Sequence, residues 1–344
     1  MYYFAGVISL NESFFPVFQM HTSMHDSATI ASCLLNFRSK YVKKGGQWPP
    51  FKTVVTDCSW AMINAVILAF NNTNVEQYIE ELYEIAYGNG IKPRFVVLKL
   101  CAVHFFKKIC EKLKEHYQKK KIRDFLKSVT VKLINSESFS EFHFYAINLL
   151  RLLDTKYLDG TTLKAYRNVR CKDPDLVDLP EKIFSDSWKG KTLYSRSKFY
   201  LHFCEKLVSS NEFIAKKNTL HSPEFADYLR KIWLPYCPMW SSFISGRVTN
   251  NLVETYFKHI KIDLFRNDLR NKAGRVVRTI NDFTQAKFNS FVYNFPAKKV
   301  KTIQDDDLLN TNEMWDSKSK SKNWFYNDSG NQIIYLINFI FNKF

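Results

Sequence analysis

Closely spaced cysteine pairs are missing from this chain of 344 residues. The seven cysteines are scattered along the sequence, at Cys33, Cys58, Cys101, Cys110, Cys171, Cys204 and Cys237. An odd number without framework spacing excludes a disulfide-stapled secreted scaffold. It indicates reduced thiols, as in the cytosol or nucleus.

Export and membrane signals are also missing. Met1 leads directly into strand-like sequence, so we predict no signal peptide. The apolar run Ile333–Phe341 is interrupted by Asn338 and is too short to span a bilayer. We find no internal repeat and expect no membrane partner.

The chain has fewer acidic than basic residues, with 33 Asp and Glu compared with 50 Lys and Arg. The net charge of +17 and the isoelectric point of about 9.4 favour a polyanionic partner, nucleic acid first and an anionic membrane surface second. A lysine-rich proteome is the alternative explanation. The sequence is 46% hydrophobic and 16% aromatic, and this composition predicts a substantial buried core rather than disorder.

The N-terminal region begins with strand patterns and continues with a helix. Two runs rich in aromatic and β-branched residues, Tyr2–Leu10 and Phe14–Gln19, predict a β-hairpin. Ser27–Lys40 then shows a helical period, with Asp26 or Ser27 as its cap.

Two further strands are predicted at Phe51–Thr56 and Phe95–Leu100. Between them, Ser59 can cap a helix that runs to about Phe70. The resulting order of strands and helices predicts a mixed sheet with helices on both sides.

The rest of the chain is predicted to be mostly helical from 105 to 245. An amphipathic helix follows at Thr249–Phe265, and the sequence turns polar beyond about Pro296. These changes predict four segments: the N-terminal part of a core (1–104), a helical insertion (105–245), helices that complete the core (246–295) and a polar tail (296–344).

Two acidic residues are candidates for catalysis. Asp57 follows an apolar strand, where the ligands of open α/β sheets gather, although it can instead cap the next helix. Glu254 lies at the boundary of an apolar helix stripe, where a glutamate is usually just solvated. Mg or Mn prefers such oxygen ligands, and phosphoryl transfer by two ions needs several carboxylates at one point.

Cys101 and His104 have a C-x2-H spacing that allows both to hold one zinc ion. A structural zinc site needs four ligands, and the comparable pair elsewhere is His21 with His25. The alternative is a buried thiol and a hydrogen-bonded imidazole that fix a strand to the next helix.

The segment Lys107–Arg123 is the densest basic stretch, and apolar residues recur in it at helical spacing. It is either a solvated lysine face or a phosphate-contacting face, and the charge of the whole chain favours the second. The candidate nucleic-acid-binding residues are Lys107, Lys108, Lys112, Lys119, Lys120, Lys121 and Arg123, with Lys258 and Lys261 in the later helix. The aromatic residues that either stack bases or belong to the core are Trp233, Trp240, Phe243 and Tyr256.

These pieces, in this order, resemble the transposase domain of Mutator-like elements (MULE), a branch of the DDE transposases with a ribonuclease-H-like core. The resemblance covers residues 1–265 and is carried by four pieces. They are the hairpin Tyr2–Gln19, Val54–Ser59 with Asp57, Leu100–His104, and Trp240–Lys261 with Glu254.

The resemblance implies an α/β fold, with a ribonuclease-H-like mixed sheet and a large, mostly helical insertion. It makes Asp57 the second acidic metal ligand and Glu254 the third, and it makes Cys101 and His104 the C-x2-H pair of the family. The implied chemistry is Mg- or Mn-assisted attack of water, then of a DNA 3′-hydroxyl, on a phosphodiester. DNA is the expected partner, the nucleus is the expected location, and a homo-oligomer is left open.

One departure from the family bears on catalysis. The family carries its first catalytic aspartate on a strand before the hairpin, but here Met1 adjoins the hairpin. We therefore expect an N-terminally truncated copy that lacks the first strand and binds metal weakly. Because that strand is central, its loss is expected to leave unpaired backbone groups and a gap, unless Ile333–Phe341 fills the position.

Three functions are compatible with these features. The favoured one is a transposase-derived DNA-binding protein, ancestrally a metal-dependent DNA-cleaving and strand-transferring enzyme and now catalytically incomplete. The alternatives are a nucleic-acid-binding protein without chemistry and a protein-interaction scaffold built on the helical insertion, both domesticated from a transposon.

Overall fold

The computed structural model describes residues 2–10, 13–91, 95–171, 179–184, 192–204, 213–246, 258, 260–265, 273–294 and 333–340. The chain divides into two compact units, Met1–Thr56 together with Asn250–Phe344, and Asp57–Thr249. Across the described residues, no helix is both long enough and apolar enough to cross a membrane.

The described part of the chain is mixed α/β and mostly helical. Its strands are β1 (Tyr2–Leu10), β2 (Ser13–Thr22), β3 (Thr53–Thr56), β4 (Val97–Leu100), β5 (Tyr157–Asp159), β6 (Phe213–Lys217) and β7 (Ile333–Ile340). Its α-helices are α1 (Ser27–Lys43), α2 (Trp60–Val66), α3 (Val75–Ala86), α4 (Ala102–His116), α5 (Lys120–Asn135), α6 (Phe139–Asp154), α7 (Gly160–Asn168), α8 (Lys198–Leu201), α9 (Pro223–Tyr228), α10 (Cys237–Trp240) and α11 (Ala273–Asn294). Short π-helical segments span Ile67–Asn71, Leu229–Trp233 and Ile260–Leu264, and 3-10 turns span Tyr194–Arg196 and Leu234–Tyr236.

The sheet of the first unit begins with the predicted β-hairpin. β1 pairs antiparallel with β2, from Tyr2 opposite Thr22 to Leu10 opposite Ser13. The register shifts once, after Gly6, as expected where a bulge adds twist to a hairpin. The hairpin prediction is confirmed, because its signal lies in local composition and a short turn.

β7 lies inside this sheet, whose strands in the first unit follow the order β2-β1-β7-β3. It runs antiparallel to β1, with Tyr3 opposite Phe339, and parallel to β3, with Val54 opposite Ile334. The late apolar segment therefore fills the position between the hairpin and β3, which is the exception that the sequence analysis allowed, and its backbone pairs with both neighbouring strands. Most of the predicted polar tail (296–344) lies outside the described residues, but this part of it is a strand, as its β-branched and aromatic composition favours.

Helix α1 begins at the cap that the sequence predicts. The Asp26 carboxylate accepts the N–H and the hydroxyl of Thr29, each at 2.8 Å, so the cap is Asp26 and not Ser27. These hydrogen bonds hold the pKa of Asp26 below its usual value. At the other end, Lys40 and Lys43 place positive charge in the last turn, where the helix dipole favours it.

The second unit is mostly helical, as predicted for 105–245, and also contains a small antiparallel ribbon of β5 and β6. Its apolar helix faces form a buried core that includes Leu149, Leu150, Leu152, Leu153, Phe199 and Phe203. Ser59 occupies the N-cap position of α2, as predicted. Its hydroxyl makes no hydrogen bond to the first turn, so the predicted side-chain cap is absent.

Much of the predicted helix Thr249–Phe265, including Glu254, lies outside the described residues. In the part that is described, Ile260 is buried at the start of a π-helical segment. The predicted boundaries of the four segments remain predictions, because the two units group residues that are distant in sequence.

Candidate nucleic-acid interface and acidic site

Helix α4 separates an apolar face from a basic one. Phe105, Ile109 and Leu113 recur every four residues and are buried. The lysines between them face solvent, and those that are exposed are Lys107, Lys108 and Lys114. The predicted basic amphipathic segment is thus present, but it is divided into two helices, with α4 ending at His116 and α5 beginning at Lys120.

The connection between α4 and α5 is fixed by hydrogen bonds. Arg123 donates from Nη1 to the carbonyl oxygens of Tyr117, at 2.8 Å, and Gln118, at 2.6 Å. The Tyr117 hydroxyl donates to the Leu220 carbonyl at 2.7 Å, and burial raises the pKa of Tyr117 to about 12, so it keeps its proton at neutral pH. Arg123, a candidate phosphate ligand, therefore already serves to hold this turn.

Three exposed lysines, Lys119, Lys120 and Lys121, occupy the N-terminal end of α5. Lys119 is the N-cap residue and makes no side-chain cap hydrogen bond, and the first turn contains no acidic residue. The N-terminus of a helix carries partial positive charge and N–H groups that lack partners within the helix, so lysines there are electrostatically unfavourable. A phosphate group would relieve that repulsion, because helix N-termini and lysines both attract anions.

The remaining candidates differ in their surroundings. Lys112 forms an ion pair with Glu115 and lies 5.4 Å from the centre of the Tyr228 ring. This pair lowers the pKa of Glu115 through the hydrogen bond from Lys112. Lys258 is exposed, and the side chain of Lys261 lies outside the described residues.

Asp57 follows β3 directly and is half-buried. Its Oδ1 accepts the backbone N–H of Ser59 at 3.0 Å, so the carboxylate closes the turn into α2. The neighbouring thiol of Cys58 has a pKa raised to about 12 by burial and by the Asp57 charge, with Lys108 acting in the opposite direction. Cys58 therefore remains a neutral, weakly nucleophilic thiol at physiological pH.

Cys101 and His104 flank the start of α4. Cys101 is fully buried and is the N-cap residue of α4, and its carbonyl accepts the N–H of Phe105 at 3.0 Å. His104 is half-buried in the first turn. Across the described residues no group of three or more His, Cys, Asp or Glu side chains comes close enough to hold a metal ion. Glu254, the other candidate metal ligand, lies outside the described residues.

The histidine pair of the hairpin region packs against aromatic rings. His21 stacks on Tyr3 with ring centres 4.8 Å apart, and His25 stacks on Phe4 at 5.7 Å. Burial lowers the pKa of His21, which keeps the imidazole neutral.

Two of the aromatic candidates for base stacking belong to the core. Trp233 and Trp240 are buried, and Phe105 stacks on Trp240 with ring centres 4.2 Å apart. The Trp240 indole N–H donates to the Trp233 carbonyl at 2.9 Å. Phe243 packs against other phenylalanine rings, and Tyr256 lies outside the described residues.

Lys99 is a buried polar residue that pattern reasoning missed. It lies in β4, and its ammonium donates to the carbonyl oxygens of Pro238, at 3.2 Å, and Ser241. Burial lowers the pKa of Lys99 to about 7. The sequence feature that could have indicated this buried lysine is its position as the single charged residue inside the apolar run Phe95–Leu100.

A comparison with curated proteins finds distant similarity to the 120.7 kDa protein in the NOF-FB transposable element of Drosophila melanogaster, at 24% identity over 287 residues. The match covers 74% of this chain and 26% of that protein, so the chain spans about a quarter of the length of the relative it matches. No protein-family model matches the chain, and no solved structure matches it.

Proposed function

We propose that this chain is a transposon-derived DNA-binding protein that holds DNA phosphates on a surface of α4 and α5. We name this surface the α4–α5 basic surface and define it by its exposed lysines, Lys107, Lys108, Lys114, Lys119, Lys120 and Lys121. The similarity to a protein of a Drosophila transposable element supports the origin. The observation that carries DNA binding is the cluster of three lysines at the uncapped N-terminus of α5.

The proposal predicts a definite salt dependence. Each phosphate that a protein neutralises contributes a slope of about −0.9 to the plot of log affinity against log salt for duplex DNA. Contacts from Lys119, Lys120 and Lys121 would therefore add about 2.7 to the steepness of that plot.

Fluorescence anisotropy with a labelled duplex at about 50 to 200 mM salt tests this directly. Replacing Lys119, Lys120 and Lys121 with glutamine should weaken binding and flatten the salt plot by that amount. The matched control replaces Lys40, Lys43 and Lys44, three exposed lysines at the end of α1, with glutamine and should leave the slope unchanged. An unmodified chain that binds no DNA at low salt, whether duplex or single-stranded, would overturn the proposal and favour a protein-interaction scaffold.

We also propose that the sheet is of the ribonuclease-H-like, MULE-transposase type. The position and directions of β7 support this proposal, because the resemblance puts a central strand between the hairpin and the strand that ends before Asp57. The proposed location is the nucleus, which fluorescence microscopy of a tagged chain tests. Self-association is open and is measured by light scattering.

For catalysis we propose that strand cleavage and transfer was the ancestral activity and that this chain binds DNA without cleaving it. Mg or Mn requires several oxygen ligands. Asp57 is the candidate acid whose position the structure describes, and in the described part of the chain no group of three or more His, Cys, Asp or Glu side chains comes close enough to hold a metal ion. We therefore derive no reaction step through a metal.

A cleavage assay tests the catalytic part separately. The chain is incubated with supercoiled plasmid and Mg or Mn, and no cleavage above background is expected. The variants Asp57→Ala and Glu254→Ala are assayed beside Asp124→Ala, which changes an exposed aspartate of α5. Robust cleavage that Asp57→Ala and Glu254→Ala abolish and Asp124→Ala retains would show an active enzyme, with these two acids as its metal ligands.

A further inference from the structure

A second surface of the helical unit combines aromatic rings with a guanidinium group. Phe125 of α5 and Tyr166 of α7 stack with ring centres 5.1 Å apart and an interplanar angle of 27°. The Arg170 Cζ lies 5.5 Å from the centre of the Tyr166 ring. Tyr166 remains 37% exposed, although it has these two partners. We call these three residues the ring platform.

The helix that carries Tyr166 is held in place at both ends. At its start, the Asp159 carboxylate accepts the N–H of Thr162 at 2.6 Å and the hydroxyl of Thr161 at 2.8 Å. At its end, Asn168 donates to the Asn148 side chain at 3.0 Å. The ring platform is therefore preorganised, which reduces the entropy lost when a ligand binds.

The charge around the ring platform suits a polyanion. Residues 160–170 contain three basic residues, Lys164, Arg167 and Arg170, and no acidic residue. On α5, Lys121 precedes Phe125 by four residues, so both lie on the same side of the helix, about 6 Å apart along its axis. The ring platform thus continues the α4–α5 basic surface.

We propose that the ring platform stacks unpaired bases of single-stranded DNA whose phosphates lie on the α4–α5 basic surface. This inference rests on the proposed function and adds the form of DNA that is bound. Aromatic rings and guanidinium planes both stack on bases, and such stacking is tolerant of sequence. A duplex hides the faces of its bases, so the ring platform can contribute only to the binding of unpaired strands.

The test measures anisotropy with a labelled single strand, its duplex and an RNA strand of the same sequence at one fixed salt concentration. Tyr166→Leu should weaken single-stranded DNA binding about ten-fold and change duplex binding less than about two-fold. Tyr166→Phe keeps the ring and should bind like the unmodified chain. The matched control is Tyr157→Leu, since Tyr157 is 43% exposed and has the Lys156 ammonium 5.5 Å from its ring centre.

Arg170→Lys provides a second test that does not depend on the folding of Tyr166→Leu. It keeps the charge, removes the planar group and should weaken single-strand binding selectively, by about five-fold. Equal losses on single strands and duplex, or no loss in either variant, would overturn the inference and leave the proposed function standing. Tighter binding to RNA than to DNA would overturn the assignment to DNA. If the unmodified chain binds neither duplex nor single strand, the proposed function itself fails.

Discussion

The substitution Lys119→Ser should make the protein more stable while it weakens DNA binding. Lys119 has the extended backbone of an N-cap residue, with φ −73° and ψ 118°, but its side chain caps nothing. A serine hydroxyl at this position can accept an N–H of the first turn, and such a cap is worth about 1 kcal/mol. Removing a positive charge from the helix N-terminus adds about 0.3 to 1 kcal/mol. The expected gain in the free energy of unfolding is therefore about 1 to 2 kcal/mol, or a rise in Tm of roughly 2 to 8 °C for a unit of this size.

The same substitution removes one proposed phosphate contact. The salt plot for duplex DNA should become less steep by about 0.9, and affinity near 0.1 M salt should fall roughly five- to ten-fold. Thermal unfolding followed by circular dichroism and anisotropy titrations measure the two effects on the same protein preparation. Lys40→Ser is the control, because Lys40 lies in the last turn of α1, where its charge is favourable, so its loss should lower Tm slightly and leave DNA binding unchanged.

The opposite signs of the two effects make the reasoning easy to refute. A Tm that falls in Lys119→Ser would show that the lysine stabilises the helix end through contacts other than a cap. A Tm that rises with unchanged DNA affinity would show that Lys119 is merely solvated and would remove it from the α4–α5 basic surface.

Three further predictions concern stability. Burial lowers the pKa of both His143 and His202 from 6.5 to about 4, so between these pH values the unfolded chain binds more protons than the folded one. The contribution of these histidines to stability is therefore complete above about pH 6.5 and is lost as the pH falls toward 4. The substitution His143→Phe should reduce the decrease in Tm between pH 7 and pH 5. The substitution Lys99→Met removes the hydrogen-bond donor of two buried carbonyl oxygens and should lower the free energy of unfolding by roughly 1 to 3 kcal/mol. Urea titrations measure this loss, and an unchanged midpoint would contradict a stabilising role for the hydrogen bonds of the ammonium. Asp159→Ala should destabilise α7 by about 1 to 2 kcal/mol, whereas Asp159→Asn keeps a capping oxygen and should lose less; equal losses would argue against the cap.

Features with a local cause could be predicted from the sequence. The hairpin follows from two β-rich runs around a short turn, and the Asp26 cap follows from an acid just before a helical period. Features that depend on distant partners were predicted less well. The pairing of β7 with β1 joins residues more than three hundred positions apart, and composition alone suggested only that the segment could be a strand. The Arg123 bonds to the turn and the Phe125–Tyr166 stack depend on how helices pack, which periodicity does not reveal.

The second unit contains polar and aromatic residues with partners inside the fold, and others in positions that are unfavourable for stability. Arg123 and Trp240 make hydrogen bonds within the fold, because Nη1 of Arg123 donates to two carbonyl oxygens and the indole N–H of Trp240 donates to one. Lys119 and Tyr166 depart from what stability favours: a cation occupies a helix N-terminus, and a large ring stays partly exposed beside a guanidinium. A natural fold is expected to agree with local preference nearly everywhere, and departures concentrate where a ligand compensates for them. Here both departures involve residues on or against α5, and single-stranded DNA is a ligand that compensates for both, because its phosphates neutralise lysines and its bases cover rings.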